Sequence, residues 1–94
     1  MGIRWSPAAT EDLFRIVEYV AKENAPAAQR VGNTIYENVD ALNSFPNRGR
    51  GGRVEGTREM PVASLPFIVV YRVVEETVDI PRVIHGAQRW PPNE

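Results

Sequence analysis

The chain reads as an α+β domain, a two-layer fold in which an N-terminal helical hairpin packs on a small antiparallel β-sheet in the order β–α–α–β–β–β. Three observations carry this. Apolar residues recur at helical spacing twice in the first half, and the second half is β-branched and aromatic with turn residues between the runs. The length of 94 residues and the 43% hydrophobic content suit one domain with one core. A two-domain cofactor enzyme is excluded, because a single nucleotide-binding βαβαβ half would fill nearly the whole chain.

Ile3, Arg4 and Trp5 form a short opening strand, ended by Ser6-Pro7. Serine caps an orphan helix N–H, and proline at the first helical position loses no hydrogen bond. The set Ala9, Leu13, Ile16, Val17, Val20 lies on one helical face and predicts a helix over Pro7–Glu23. Asn24-Ala25-Pro26 breaks it, since the residue before proline avoids the α region. Ala28, Val31, Ile35, Val39 and Leu42 predict a second amphipathic helix, stopped by Ser44-Phe45-Pro46. So short a connection makes an antiparallel hairpin whose apolar stripe must be laid on another layer.

Asn47 to Gly56 has four glycines and three arginines and reads as a loop. Arg58 to Ala63 is extended, with Pro61 pointing to an edge strand or a bulge. Phe67 to Val74 is apolar on both faces except at Arg72, as a central strand requires. Glu75-Glu76 turns the chain into Thr77–His85, whose alternation sets Val78, Ile80 and Ile84 on one face and Asp79, Pro81, Val83 and His85 on the other. Pro81 sits awkwardly within this run. The tail ends in Pro91-Pro92, where any last helical turn must stop.

Charge is nearly balanced, at 11 basic and 12 acidic residues. All the basic residues but Lys22 are arginine. Broad neutralisation of bare DNA or RNA calls for a clearly basic protein, and this chain is not one. The charge is unevenly spread. Phe45 to Arg58 holds Arg48, Arg50, Arg53 and Arg58 against Glu55 alone, on an otherwise acidic body. The lack of cysteine removes disulfides, thiolate nucleophiles and Cys-ligated zinc, and is compatible with a reducing compartment. No apolar run has the length of a membrane span and the N-terminus has no export-signal pattern, so a cytosolic protein is expected.

His85, the one histidine, is the natural general acid or base, but a hydrogen-bonded structural histidine at a strand end fits equally well. With no second histidine and no cysteine, neither a metal nor a cofactor is expected. RNA cleavage by 2′-hydroxyl attack needs a base, an acid and cations around the phosphorane. His85, Tyr71 and two of the arginines Arg58, Arg72, Arg82 and Arg89 are of the right types. The competing reading pairs surface arginines with Glu55, Glu59, Glu75 or Glu76. The Gly/Arg loop lacks the Walker pattern and follows a helix, which suggests a mobile loop that recognises a partner. Trp5, Trp90 and Tyr36 are of a type that stacks on bases, or serve as packing anchors.

Gly56–Met60 (GTREM), Pro66–Val73 (PFIVVYRV) and Arg82–Pro91 (RVIHGAQRWP), with the opening Trp5–Leu13 and the helix start Ala25–Arg30, resemble the RelE/ParE superfamily of toxins from type II toxin–antitoxin systems. The resemblance spans about Ile3 to Pro92, and its element order equals the one read above. It implies a growth-inhibiting toxin silenced by a cognate antitoxin of ribbon-helix-helix type, held in a hetero-oligomer. The antitoxin's C-terminal segment would lay a helix on the hairpin and an extended stretch along the sheet. Phe14, Tyr36, Arg50, Arg53, Arg58 and Arg72 are the candidate antitoxin contacts.

The superfamily divides by target. RelE-like members cut mRNA in the ribosomal A site from a basic sheet surface, whereas ParE-like members poison DNA gyrase and lack that set. Where RelE-like chains tend to carry arginines, this one has Phe67 and Gln88, and it has a single lysine. The resemblance therefore implies a ParE-like, non-nucleolytic toxin directed at gyrase. The alternative is a ribosome-dependent endoribonuclease built on Arg58, Tyr71, His85 and Arg89.

Overall fold

A computed structural model describes residues 1–92. Strand β1 (Gly2–Trp5) leads into helices α1 (Pro7–Glu23) and α2 (Ala25–Asp40), and a 3₁₀ turn follows over Ala41–Asn43. Strands β2 (Arg50–Gly51), β3 (Arg58–Pro61), β4 (Phe67–Val74) and β5 (Thr77–His85) complete the chain. The Ser6 cap is the one the sequence announces, and Asn24, read there only as part of the break between the helices, caps the second. The Ser6 hydroxyl accepts the N–H of Ala9, the Asn24 side chain accepts that of Ala27, and each helix has proline in its first turn. Among the described residues no helix is long and apolar enough to cross a membrane.

The α+β class and the hairpin layer stand as expected, but the sheet differs in two respects. It has five strands in the order β1-β5-β4-β3-β2, and it is mixed, because β1 runs parallel to β5. A parallel partner must lie a long crossover away in sequence, so the four residues of β1 give no local sign of it. The second difference is β2, a two-residue strand paired antiparallel with β3 inside the Gly/Arg segment. Its Arg-Gly pair has no apolar alternation, which is why it reads as loop.

The main core lies between the helices and one face of the sheet. It joins Ala9, Ile35, Val39 and Leu42 to Met60, Val69, Tyr71, Val78, Ile80 and Val83, with Leu13 and Val31 packed against it. A second, smaller cluster of Ile68, Val70 and Ile84 occupies the outer face, where Trp90 covers it. The strict alternation expected for β5 fails at one point. Val70 faces Arg82 but Arg72 faces Asp79, so β5 carries one extra residue, at Ile80–Pro81. Proline has no N–H to give the ladder, and a bulge accommodates it. The bulge inverts the pattern beyond it: Val83 joins Val78 and Ile80 in the main core, and Ile84 turns to the other face.

β1 covers only the first half of the free edge of β5, as far as Ile80. Beyond it, α1 takes over. The N–H of Ser6 donates to Ile80 O at 3.0 Å and its hydroxyl donates to Pro81 O at 2.9 Å. The buried Asp12 carboxylate then accepts the Val83 N–H at 2.9 Å and two hydrogen bonds from the Arg82 guanidinium at 2.7 and 3.0 Å. That bond raises the pKa of Arg82 further above its ordinary value, against the lowering effect of burial. Removing the carboxylate orphans a buried edge N–H and a half-buried cation. Asp12→Ala is expected to lower stability by about 2–4 kcal/mol, because Arg82 keeps some access to water, and Asp12→Asn by less. Urea denaturation of the two variants measures it, and a loss below about 0.5 kcal/mol for Asp12→Ala would contradict this account of the junction.

Candidate functional site

The Gly/Arg segment is a loop, as its composition leads one to expect, but one laced by hydrogen bonds and carrying the short strand β2. Gly49 is buried against Tyr71, where an added Cβ would stand 2.8 Å from the ring and 3.0 Å from Glu59 O. The Tyr71 hydroxyl accepts the Gly49 N–H and donates to Pro46 O, each at 2.8 Å. Gly52 N–H donates to Thr57 O at 2.8 Å, and the Thr57 hydroxyl donates to Val54 O at 2.6 Å. Arg58 donates to Gly49 O at 2.7 Å and to Asn47 O at 3.4 Å. Composition hid this order because glycine here marks close approach of backbone to side chain rather than freedom.

Glu59 organises the loop's charge. Its carboxylate, only 1% exposed, accepts the Arg53 backbone N–H at 2.9 Å and the Arg53 guanidinium at 2.9 to 3.2 Å, with Arg50 at 3.5 Å. The side-chain bond from Arg53 is the largest influence and holds the Glu59 pKa below its ordinary value against the opposing effect of burial. Arg50 and Arg53, both candidate partner contacts, are thus engaged internally while their outer edges stay exposed.

His85 lies at the C-terminal end of β5, three residues past Arg82, which shares a cross-strand row with Glu59. It is exposed, its ring stands edge-on to Phe67 at 5.7 Å, and its Nδ1 accepts the Ala87 N–H at 3.0 Å. Phe67 faces His85 on β5 and Tyr71 faces Arg58 on β3, so four residues of β4 and two strand spacings separate the two ends. That puts the Arg58 and His85 backbones roughly 16 Å apart. Arg89 is exposed on the tail, and Tyr71 is fully buried with its hydroxyl spent on the loop. The four residues expected for an endoribonuclease are therefore not brought together. No group of three or more metal-ligating side chains occurs among the described residues.

The exposed candidates on the helices stand where expected. Phe14 is 74% exposed beside Leu13 and Val17, and Tyr36 is 58% exposed next to Ile3 and Trp5. Between α1, the start of α2 and the β3–β4 turn runs an apolar groove of about 560 Å³, floored by Ile16, Val20, Val31, Leu65 and Phe67, with Tyr19 on its wall and Arg15 and His85 on its rim. Tyr19, 74% exposed, escaped the sequence reading because it lies beside the apolar stripe rather than in it. Asp12 also escaped as a structural residue. Its signal was an acid three residues after Ala9 and four before Ile16, within the buried stripe.

The clamp yields a pH prediction. A carboxylate whose folded pKa is lowered contributes stability that is present above its unfolded pKa and lost as pH falls through the folded value. Glu59→Gln should cost about 1–3 kcal/mol at neutral pH, and the gap from wild type should close as pH is lowered through the carboxylate range. Thermal melts of both proteins at several pH values test this, and a gap independent of pH would contradict it.

The residues matched by known families cover this architecture from end to end. Residues 3–90 match the model of the ParE toxin of the type II parDE toxin–antitoxin system. Y4kP of Sinorhizobium fredii is 42% identical over 95% of this chain and 92% of its own length. Toxin RelE2 of Caulobacter vibrioides is 32% identical over 89% of this chain and 93% of its own. Among solved structures, the chromosomal ParDE system of P. aeruginosa superposes with a TM-score of 0.82 at 26% identity, over 90% of this chain and 95% of that one. The RelBE2 complex of Mycobacterium tuberculosis, at 22% identity and a TM-score of 0.63, shares the fold over 89% of this chain and 95% of that one. The chain belongs to the ParE toxin family, within the RelE/ParE superfamily of type II toxins.

Proposed function

We infer that this toxin is ParE-like, acts by protein–protein contact on DNA gyrase, and is held inactive by a cognate antitoxin. The observation that carries this is the dispersal of the acid–base candidates. Tyr71 and Arg58 are committed to the loop, while His85 stands roughly 16 Å from Arg58 with its ring edge-on to Phe67. General acid–base catalysis needs its groups within hydrogen-bond reach of one substrate. The match to the ParDE system of P. aeruginosa, with the higher TM-score of the two solved structures compared, supports the same branch.

The antitoxin reading rests on the groove and on the exposed aromatics. A helix that lays apolar residues along Ile16, Val20 and Val31 would bury surface that a lone chain leaves wet, and Phe14 and Tyr36 offer further exposed aromatic surface elsewhere on the hairpin. A ribbon-helix-helix antitoxin with a C-terminal segment that orders on binding fits this demand, in a hetero-oligomer within the cytoplasm.

Purified toxin added to gyrase and plasmid tests the target directly. Loss of supercoiling, with trapped cleavage complexes that disappear when antitoxin is added first, is the expected result. Normal supercoiling, together with mRNA cleavage in a ribosome-containing translation reaction, would refute it in favour of the endoribonuclease. In parallel, His85→Ala combined with Arg89→Ala should leave growth inhibition within about twofold of wild type, since neither residue holds the fold; abolished toxicity would restore the catalytic reading.

A further inference from the structure

Between the 3₁₀ turn and β2, the segment from Ser44 to Arg48 presents side chains that the groove does not use. Pro46 and Asn47 form the middle of a β-turn, closed by the Arg48 N–H on Phe45 O at 3.1 Å. The main chain of this turn is pinned from beneath. Pro46 O accepts the buried Tyr71 hydroxyl at 2.8 Å, and Asn47 O accepts Arg58 at 3.4 Å. Gly49 follows, giving its N–H to Tyr71 and its carbonyl to Arg58. With the backbone so held, Phe45 stands 62% exposed, and Arg48 is exposed with no partner among the described residues. The two border an open hollow of about 580 Å³, completed by Ser44, Pro46 and Asn47. One phenylalanine in water is ordinary on a protein surface. One set on a pinned turn beside an unpaired guanidinium is a prepared contact.

We propose that this turn docks on the toxin's target protein, with Phe45 seated in an apolar cleft of the target and Arg48 received by a carboxylate at the cleft's rim. The inference rests on the gyrase reading above and names the surface that reading requires. Position separates the turn from the antitoxin groove. The groove takes Val31 from the first half of α2, and the turn begins only after α2 and the 3₁₀ turn have ended, roughly 15–20 Å further on. Charge points to an acidic partner surface. Residues 45–58 hold four arginines against one acid, whereas residues 7–40 hold six acids against three bases. Aromatic rings and arginine are the groups enriched at the core of protein interfaces, and a pinned loop loses little entropy on binding. The occupant is a protein rather than a nucleic acid, because phosphate binding draws on several free cations at once. Here Arg50 and Arg53 are held by Glu59 and Arg58 by carbonyls, which leaves Arg48 alone.

The test measures binding of full-length toxin to gyrase holoenzyme without DNA, by surface plasmon resonance at low and high salt. Wild type is compared with Phe45→Ala and Arg48→Glu, and thermal melts of both variants should match wild type, since both side chains are exposed. Phe45→Ala should weaken gyrase binding at least tenfold at either salt, and Arg48→Glu at least tenfold at low salt with a smaller loss at high salt. Affinity of both variants for the antitoxin encoded beside the toxin should stay within about twofold of wild type. Unchanged gyrase binding would overturn the proposal. An equal loss of antitoxin binding would also overturn it and assign the turn to the antitoxin surface. So would a short duplex DNA that binds wild type and releases Arg48→Glu, which would assign the turn to nucleic acid. If wild type does not bind gyrase at all, the gyrase reading falls first and this one with it.

Discussion

The fold turns on how the edge of β5 is finished. β1 protects that edge only as far as Ile80, and the bulge at Pro81 throws the rest out of register with any simple strand partner. An open edge of this kind leaves buried N–H groups without acceptors and invites pairing with another chain. Ser6 and Asp12, at the start of α1, meet Ile80 O, Pro81 O and Val83 N–H in succession. The helix therefore does the work of a missing strand. In doing so it fixes the height and direction of α1, and through α1 the hairpin and the groove between Val20, Val31 and Phe67.

The same junction reaches the opposite face. Arg82 is held by Asp12 and lies over the Trp90 ring, 5.6 Å from its centre, while Trp90 covers Ile68, Val70 and Ile84. One ion pair thus ties the helical layer, the sheet and the tail. At the other end of the sheet Glu59 has a comparable role, gathering Arg53 and Arg50 so that a loop rich in glycine keeps one shape. Both carboxylates are buried acids whose partners come from distant or irregular parts of the chain. Both spend cations that a catalytic phosphate site would need free.

Much of this was legible in the sequence. Both helices, β4 and β5 follow from spacing and composition alone, and Ser6-Pro7 marks the first helix start because capping is a local event. What escaped is non-local. The parallel pairing of β1, the two-residue β2 and the inverted face of Ile84 all depend on partners far along the chain or on one bulge. The candidate residues were of the right chemical types, but type does not give position. Tyr71 has the chemistry of a proton donor and is a strut beneath the loop, while Phe14 and Tyr36 are exposed because they lie off their helices' apolar stripes.

Amide hydrogen exchange at Val83 probes the central claim most directly. If the Asp12 carboxylate closes the β5 edge, the Val83 N–H should exchange only through global unfolding, at the same free energy as the core amides of β4. Exchange at the rate of frayed chain ends, with β4 still protected, would mean that α1 does not seal the edge and that the junction does not set the architecture.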